Sequence, residues 1–274
     1  MYWLTVTTDP TPRALTHGHL ADCLSLARDR GWSPEERKWS FLLDNGTGYG
    51  LFDSGELVGT TVVTRYAGQH AVLSMVLVAS SHAGQGLGRR LVEHALAEAD
   101  CPVVSLHATA MGRPLYEKLG FRLVGRAVTH FGVFRDAELS GSTRSALHAD
   151  LPAVVERDAE AFGADRGVLW KDYFRFTDQV RLGPSGGFAA AWRTVDNLSV
   201  GPVVAESVEE AKVLVGDLAA GAEGALRVDA YHPELADWLV ERGLERRGGV
   251  DLMVLGDLAG DRARLHVPMM QALG

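Results

Sequence analysis

A short apolar run that breaks into glycines and then into an amphipathic helix constrains this chain more than any other stretch. It is Leu73 to Leu91, LSMVLVASSHAGQGLGRRL. The run Leu73 to Ala79 is rich in Val, Leu and Met and too short for a globular helix, so it reads as a strand buried on both faces. Gly84, Gly86 and Gly88 permit positive φ and leave no Cβ between the backbone N–H groups and a ligand. From Leu87 onward, Leu91, Val92, Ala95, Leu96 and Ala99 recur at helical spacing, with Arg89, Arg90, Glu93 and Glu98 on the other face. A helix that opens at glycines offers unpaired N–H groups and the positive end of its dipole, which together suit a pyrophosphate.

Two phosphate motifs fail on these residues. A P-loop needs Lys-Ser/Thr after its last glycine, and Arg89 and Arg90 follow Gly88. A dinucleotide fingerprint needs a glycine three places after its second, where Arg89 stands. The run Ala83-Gly84-Gln85-Gly86-Leu87-Gly88 instead resembles the acetyl-CoA loop of the GNAT acetyltransferase superfamily, Arg/Gln-x-x-Gly-x-Gly/Ala. Ala83 departs from that pattern, at the expense of one side-chain contact. A second segment, HATAMGRPLYEKLGF, is similar to a second GNAT signature through Leu115, Tyr116, Lys118, Gly120 and Phe121; Thr109 and Gly112 replace its usual Asn and Ala. The two signatures stand in the family's order.

The resemblance implies a mixed, mostly antiparallel sheet flanked by helices, with acetyl-CoA as cosubstrate. Its pyrophosphate is expected on Ala83, Gly84, Gln85, Gly86, Leu87, Gly88 and Arg89, its pantetheine along Met75, Val76, Leu77 and Val78, with Thr109 nearby. A backbone N–H near Leu77 or Val78 is expected to polarise the acetyl carbonyl. Attack then comes directly from a primary amine of a small molecule or peptide, and Tyr116 protonates the departing thiolate. His107, at the carboxyl end of the fifth strand, is the candidate base, since histidine titrates near neutrality. A covalent route through Cys101 is discounted, because Cys101 begins a buried strand. A longer acyl or aminoacyl donor stays open, as does a non-catalytic acyl-CoA sensor.

At 274 residues and 46% hydrophobic content the chain has enough apolar residues for two cores. A net charge of −8 argues against a nucleic-acid partner. MYWLTVTTDPTPR lacks a basic-then-apolar leader, and no run approaches the ~20 apolar residues of a membrane span, so a cytoplasmic protein without a membrane partner is expected. Two cysteines make no disulfide framework, and no Cys/His spacing suggests a metal.

A first helix is expected from Leu20 to Arg30, with Cys23 in its apolar face and a stop at Gly31. Ser33-Pro34-Glu35-Glu36 has the form of a capping box for a second helix. Strands follow at 49–52 and 57–64, and a closing hairpin is expected from 121–126 and 129–134. Past the polar linker 136–143 the chain resembles its first half again. LSVGPVVAES echoes LSMVLVASS, and VDAYHPELADWLVERGLE echoes SLHATAMGRPLYEKLGFR. With Gly243 aligned on Gly120, Leu239 falls where Tyr116 stands, and Val208 to Ala211, which lack glycine, fall on the cradle. The expected organisation is a catalytic domain over 1–138 and a degenerate GNAT-like domain over 143–274. The second domain is expected to add Trp170, Tyr173, Tyr231 and His232 to the acceptor pocket.

Overall fold

The computed structural model describes residues 11–274; the opening residues 1–10, which carry most of the stretch read for a leader, lie outside the described residues. The chain divides into two compact units, Met1–Val104 and Ser105–Gly274. No described helix is long and apolar enough to cross a membrane.

The first unit begins with β1 (Arg13–Ala14), α1 (Leu20–Asp29) and α2 (Glu36–Asn45), followed by β2 (Thr47–Asp53), β3 (Glu56–Tyr66), β4 (His70–Val78) and α3 (Leu87–Ala99). β1 to β4 pair antiparallel in chain order. Their tight turns use paired left-handed residues, Ser54 and Gly55, then Ala67 and Gly68, which matches the right-handed twist of the strands they join. α1 turns Cys23, Leu24, Leu26 and Ala27 inward, so Cys23 is core, and burial pushes its thiol up to about 12. The expected capping box does not form. The Ser33 hydroxyl donates to the Glu35 carboxylate at 3.1 Å, and α2 starts after Glu35 with no side-chain cap. The start of α3 is held down where Leu87 and Leu91 pack with Leu51 and Val58. Replacing a buried leucine such as Leu91 by alanine is expected to cost about 2–5 kcal/mol.

The chain passes between units within β5 (Val103–Ala108). The second unit continues through α4 (Arg113–Lys118), β6 (Arg122–Gly132), β7 (Arg144–Ser145), α5 (Leu151–Phe162), α6 (Gly167–Phe176), β8 (Gln179–Leu182), β9 (Phe188–Arg193) and β10 (Asn197–Val204). It closes with α7 (Val208–Ala219), β11 (Ala225–Ala230), α8 (Pro233–Glu241), β12 (Glu245–Leu255) and β13 (Leu265–Val267). Its strands lie in the order β12-β6-β11-β10-β9-β8-β7, with β13 added to β10; β10 and β11 run parallel and the other pairs given antiparallel.

The hairpin expected over 121–134 is one eleven-residue strand, β6. Arg126-Ala127-Val128-Thr129 holds no residue suited to a left-handed turn, and the β-branched Val128 and Thr129 favour continuing the strand. β6 pairs instead with β11 on one side and β12 on the other.

The internal echo is visible in how two helices stop. Gly120 N–H donates to Glu117 O and Phe121 N–H to Tyr116 O; Gly243 N–H donates to Val240 O and Leu244 N–H to Leu239 O. Both are Schellman motifs with a left-handed glycine, at φ +88° and +98°. Leu239 is thus the counterpart of Tyr116 by hydrogen bonding as well as by alignment.

Candidate active site

In the first unit, β4 is interrupted two-thirds of the way along. Thr60 pairs with Leu77 and Val62 with Ser74, so Thr61 alone faces Met75 and Val76 across a bulge. Met75 sits at φ +51°, where a side chain is strained. Its carbonyl is held by the buried Thr60 hydroxyl at 2.8 Å, and a bulge leaves backbone groups outside the ladder.

Beyond β4 the chain is pinned before the glycines. Ser80 gives its amide and hydroxyl to Asp29 at 2.7 and 2.6 Å, bonds that hold the Asp29 carboxyl below its usual range. His82 Nε2 lies 3.1 Å from Asp53. Gly84 and Gly86 then take φ +76° and +78°, in space with nothing within 4 Å of either missing Cβ. Gly86 is the N-cap of α3 and no side chain caps it. Gly88 lies inside the first turn of α3. Ala83, Gln85 and Arg89 are exposed, and Arg89 is bonded to Glu93 at 2.7 Å. Arg90 Nη2 is buried with no hydrogen-bond partner. A thirteen-residue helix therefore opens onto an uncovered cradle, with positive dipole and guanidinium charge and no carboxylate in its first turn.

In the second unit, Tyr116 is buried in α4 with its ring edge-on to Phe121, 5.9 Å between centroids. Burial pushes its phenol up to about 12. The proton is therefore held at neutral pH. Thr109 closes the loop before α4, where its hydroxyl and carbonyl both accept from Gly112 N–H, at 3.3 and 3.0 Å.

His107, in β5, has both ring nitrogens engaged. Nδ1 lies 2.8 Å from the Gln271 carbonyl, which can only accept, so Nδ1 carries the proton. Nε2 is left with its lone pair and lies 2.7 Å from the Tyr231 hydroxyl, which donates to it. Burial pulls His107 down to about 4. The residue is a neutral imidazole at pH 7, but its lone pair is already occupied by Tyr231.

The other second-unit residues expected at the pocket separate by burial. Trp170 and Tyr173 are fully buried, edge-on to one another, and the Tyr173 hydroxyl donates to Gly201 O and Met269 O at 2.6 and 3.0 Å. They are core residues, not pocket residues. His232 lies against His266, 4.4 Å between centroids. An open cleft of about 580 Å³ bordered by Arg144, Arg157, Gly183 and Gly186 contains none of the candidate catalytic residues. Its Arg144 is bound by Asp150 through two 2.7 Å bonds.

The second unit's counterpart of the cradle, between β10 and α7, is filled by the chain itself. Glu210 turns back over its own helix start. Its carboxylate accepts from the amides of Ser185, Gly187 and Glu206, at 2.9, 3.2 and 3.3 Å. Ser207 caps α7, accepting from Glu210 N–H. β10 and β11 pair only as far as Val200 and Val228, and past that point β13 pairs with β10 at Val203 and Val204. Tyr231 N–H, just after β11, donates to His266 O at 2.9 Å. Gly201 allows this approach, since a Cβ there would stand 2.2 Å from Pro268 O.

Sequence reasoning missed Thr60, Asp29, Glu210 and Gln271. Thr60 looks like any strand threonine, and the other three act across long separations with no local pattern. Among the described residues no group of three or more His, Cys, Asp or Glu could hold a metal ion.

Known proteins match the chain in two separate segments. The pattern described as Acetyltransferase (GNAT) family matches residues 15–121, and that described as Acetyltransferase (GNAT) domain matches 154–266. The chain is 28% identical to the uncharacterized N-acetyltransferase YitH of Bacillus subtilis, over 93% of this chain and 95% of that one. A Pyrococcus horikoshii protein described as a candidate acetyltransferase shares the fold with a TM-score of 0.85 at 19% identity, over 100% of this chain and 98% of that chain. A tandem GNAT protein from the clavulanic acid biosynthesis pathway does so with 0.62 at 14% identity, over 91% and 98%.

Proposed function

Since the chain belongs to the GNAT family of acetyltransferases and carries two GNAT domains, we propose that it transfers an acetyl group from acetyl-CoA directly to a primary amine of a small molecule or peptide. The observation that carries the donor is the start of α3: uncapped, uncovered and flanked by left-handed Gly84 and Gly86. These residues fit a diphosphate, because their amides and the helix dipole meet it with no side chain in between. Acetyl-CoA supplies the activated acyl group as a thioester.

Next to the bulge at Met75 and Val76, a backbone N–H near Leu77 or Val78 is the donor to the acetyl oxygen, where negative charge develops during attack. An acceptor amine with a pKa of about 10.4 must lose a proton to react. Tyr116 holds its proton firmly in the resting protein. An alkyl thiolate with a conjugate pKa of about 8.5 is a weaker base than a phenolate, so Tyr116 acts by a proton donation concerted with C–S cleavage.

We read the second domain as a copy that no longer takes the cofactor. The support is occupancy: Ser207 caps α7, the Glu210 carboxylate takes the Glu206 amide just before the helix together with the Ser185 and Gly187 amides of the β8–β9 turn, and β13 pairs with β10 where it parts from β11. Leu239 replaces the tyrosine. Isothermal calorimetry with acetyl-CoA, together with thiol release over a panel of amines, tests the whole reading. One cofactor per chain and amine-dependent release are expected; two cofactors per chain, or release unaffected by any amine, would overturn it.

A further inference from the structure

The stretch between β4 and the cradle is tied down by two carboxylates from elsewhere in the first unit. Ser80 and Ser81 are exposed, so packing does not hold them, and one tight turn of helix runs from Ser80 to His82. Asp29 accepts from the Ser80 amide at 2.7 Å and from its hydroxyl at 2.6 Å, and Asp53, at the end of β2, faces His82 Nε2 at 3.1 Å. A carboxylate can only accept, so Nε2 carries a proton, while Nδ1 lies 2.9 Å from the Ser81 hydroxyl oxygen. On the other side of the cradle, Leu87 and Leu91 fix the start of α3 in the core. Gly84 and Gly86 lie between these two anchors, with nothing within 4 Å of either missing Cβ. The direction in which the cradle amides point is therefore set from its two ends.

Asp29 is badly placed for any other purpose. It is the last residue of α1, where an acid opposes the helix dipole, and it is exposed. Its bonds to Ser80 hold its carboxyl below the usual range, so it stays charged and sets a negative charge against the segment that leads into an anion site. A residue that breaks two local preferences at once is expected where function compensates for both.

From this arrangement we infer that Asp29 and Asp53 are positioning residues that make the chain favour a thioester donor carrying a diphosphate over one without it. The inference rests on the acetyltransferase reading given above. Asp29 works through Ser80 and Asp53 through His82, just ahead of Gly84. With both ends held, the amides from Gly84 to Gly86 are preorganised for the phosphates, and binding them requires no ordering of the loop. A donor that ends at its pantetheine makes no use of the cradle, so the two carboxylates do nothing for it.

Donor selectivity in the full chain tests this. Acetyl-CoA and S-acetylpantetheine share the thioester and differ in the diphosphate and nucleotide, and an amine that the parent accepts serves both. Asp29→Ala is expected to weaken acetyl-CoA binding about tenfold by calorimetry and to raise its KM by a similar factor, with kcat at saturation within about twofold of the parent and kcat/KM for S-acetylpantetheine unchanged. Asp53→Ala is expected to do the same to a smaller extent, because its hold passes through a side chain and not through a backbone amide. General loosening of the fold would fall on both donors alike, so equal losses would overturn the inference. Were the carboxylates no more than charges near an anion site, both variants would bind acetyl-CoA as tightly as the parent or more so, which would also overturn it. Should Asp29→Ala not fold, Ser80→Ala removes one of the same bonds and leaves α1 intact, and the same selective loss is expected. A parent that binds no acetyl-CoA would instead refute the acetyltransferase reading, so the two failures are distinguishable.

Discussion

The junction of β4 with α3 and that of β10 with α7 occupy the same place in two copies of one fold, and they have opposite surfaces. Both strands bulge near their ends and both lead into a helix. At α3 the cap is a glycine, the first turn has no acid, and nothing stands over Gly84 or Gly86. At α7 the cap is Ser207, the first turn holds Glu209 and Glu210, and three amides are spent on the Glu210 carboxylate. A fold depends on buried apolar faces, which both copies retain. An anion site depends on a few uncommitted donors, and around the start of α7 one capping serine and one glutamate engage such groups.

The comparison breaks most sharply at the tyrosine. Tyr116→Phe is expected to lower kcat about 10²–10⁴-fold with acetyl-CoA affinity unchanged, because only the hydroxyl proton is removed. A melting curve close to the parent's will check that the missing hydroxyl is not structural. The converse change, Leu239→Tyr, should yield no second cofactor in calorimetry, since Glu210 and β13 remain in place.

Asp158→Ala leaves Arg166 charged and buried without its carboxylate, and about 3–5 kcal/mol of stability in denaturant unfolding is expected to go with it. Gly86→Asp strains a left-handed position and sets a carboxylate beside the α3 amides; acetyl-CoA binding should weaken about tenfold or more, measured by calorimetry. Glu210→Ala orphans the amides of Ser185, Gly187 and Glu206. It is expected to cost about 1–3 kcal/mol in thermal or denaturant unfolding while the stoichiometry stays at one.

Acid should act on the second unit through three histidines, His107, His130 and His266, each held below the usual imidazole range by burial. His107 and His266 are both pulled down to about 4 by burial, against about 6.5 when unfolded. Between those values the unfolded chain binds more protons, so stability rises with pH across that window and is lost as pH falls from about 6.5 toward 4. Melting temperatures measured from pH 7 to 4 should show this decline, and His266→Gln should flatten it in part.

What could be read from the sequence was local. The glycines at 84 and 86, the Schellman glycines at 120 and 243, and the apolar face of α1 each carry their conformation in their own neighbourhood. What could not be read depends on distant partners. Ser33 looked like a cap until Glu35 took its hydroxyl. Trp170 and Tyr173 looked like pocket aromatics, and only the packing of α6 beneath Phe188 and Met269 puts them in the core. Tyr231 was singled out for the pocket, but its bond to His107 spans 124 positions and leaves no trace in either segment.

The placement of β6 between β11 and β12 bears on how the protein is made. On a ribosome β6 emerges well before either neighbour, since its partners begin at Ala225 and Glu245. Until then an eleven-residue strand exposes both hydrogen-bonding edges, the condition under which nascent chains pair with the wrong partner. A chain cut at 138 would leave β6 in that state permanently. Translation of the second domain is therefore part of completing the strand that follows α4 and its tyrosine, and recombinant fragments ending between the two domains should be recovered mainly as aggregates.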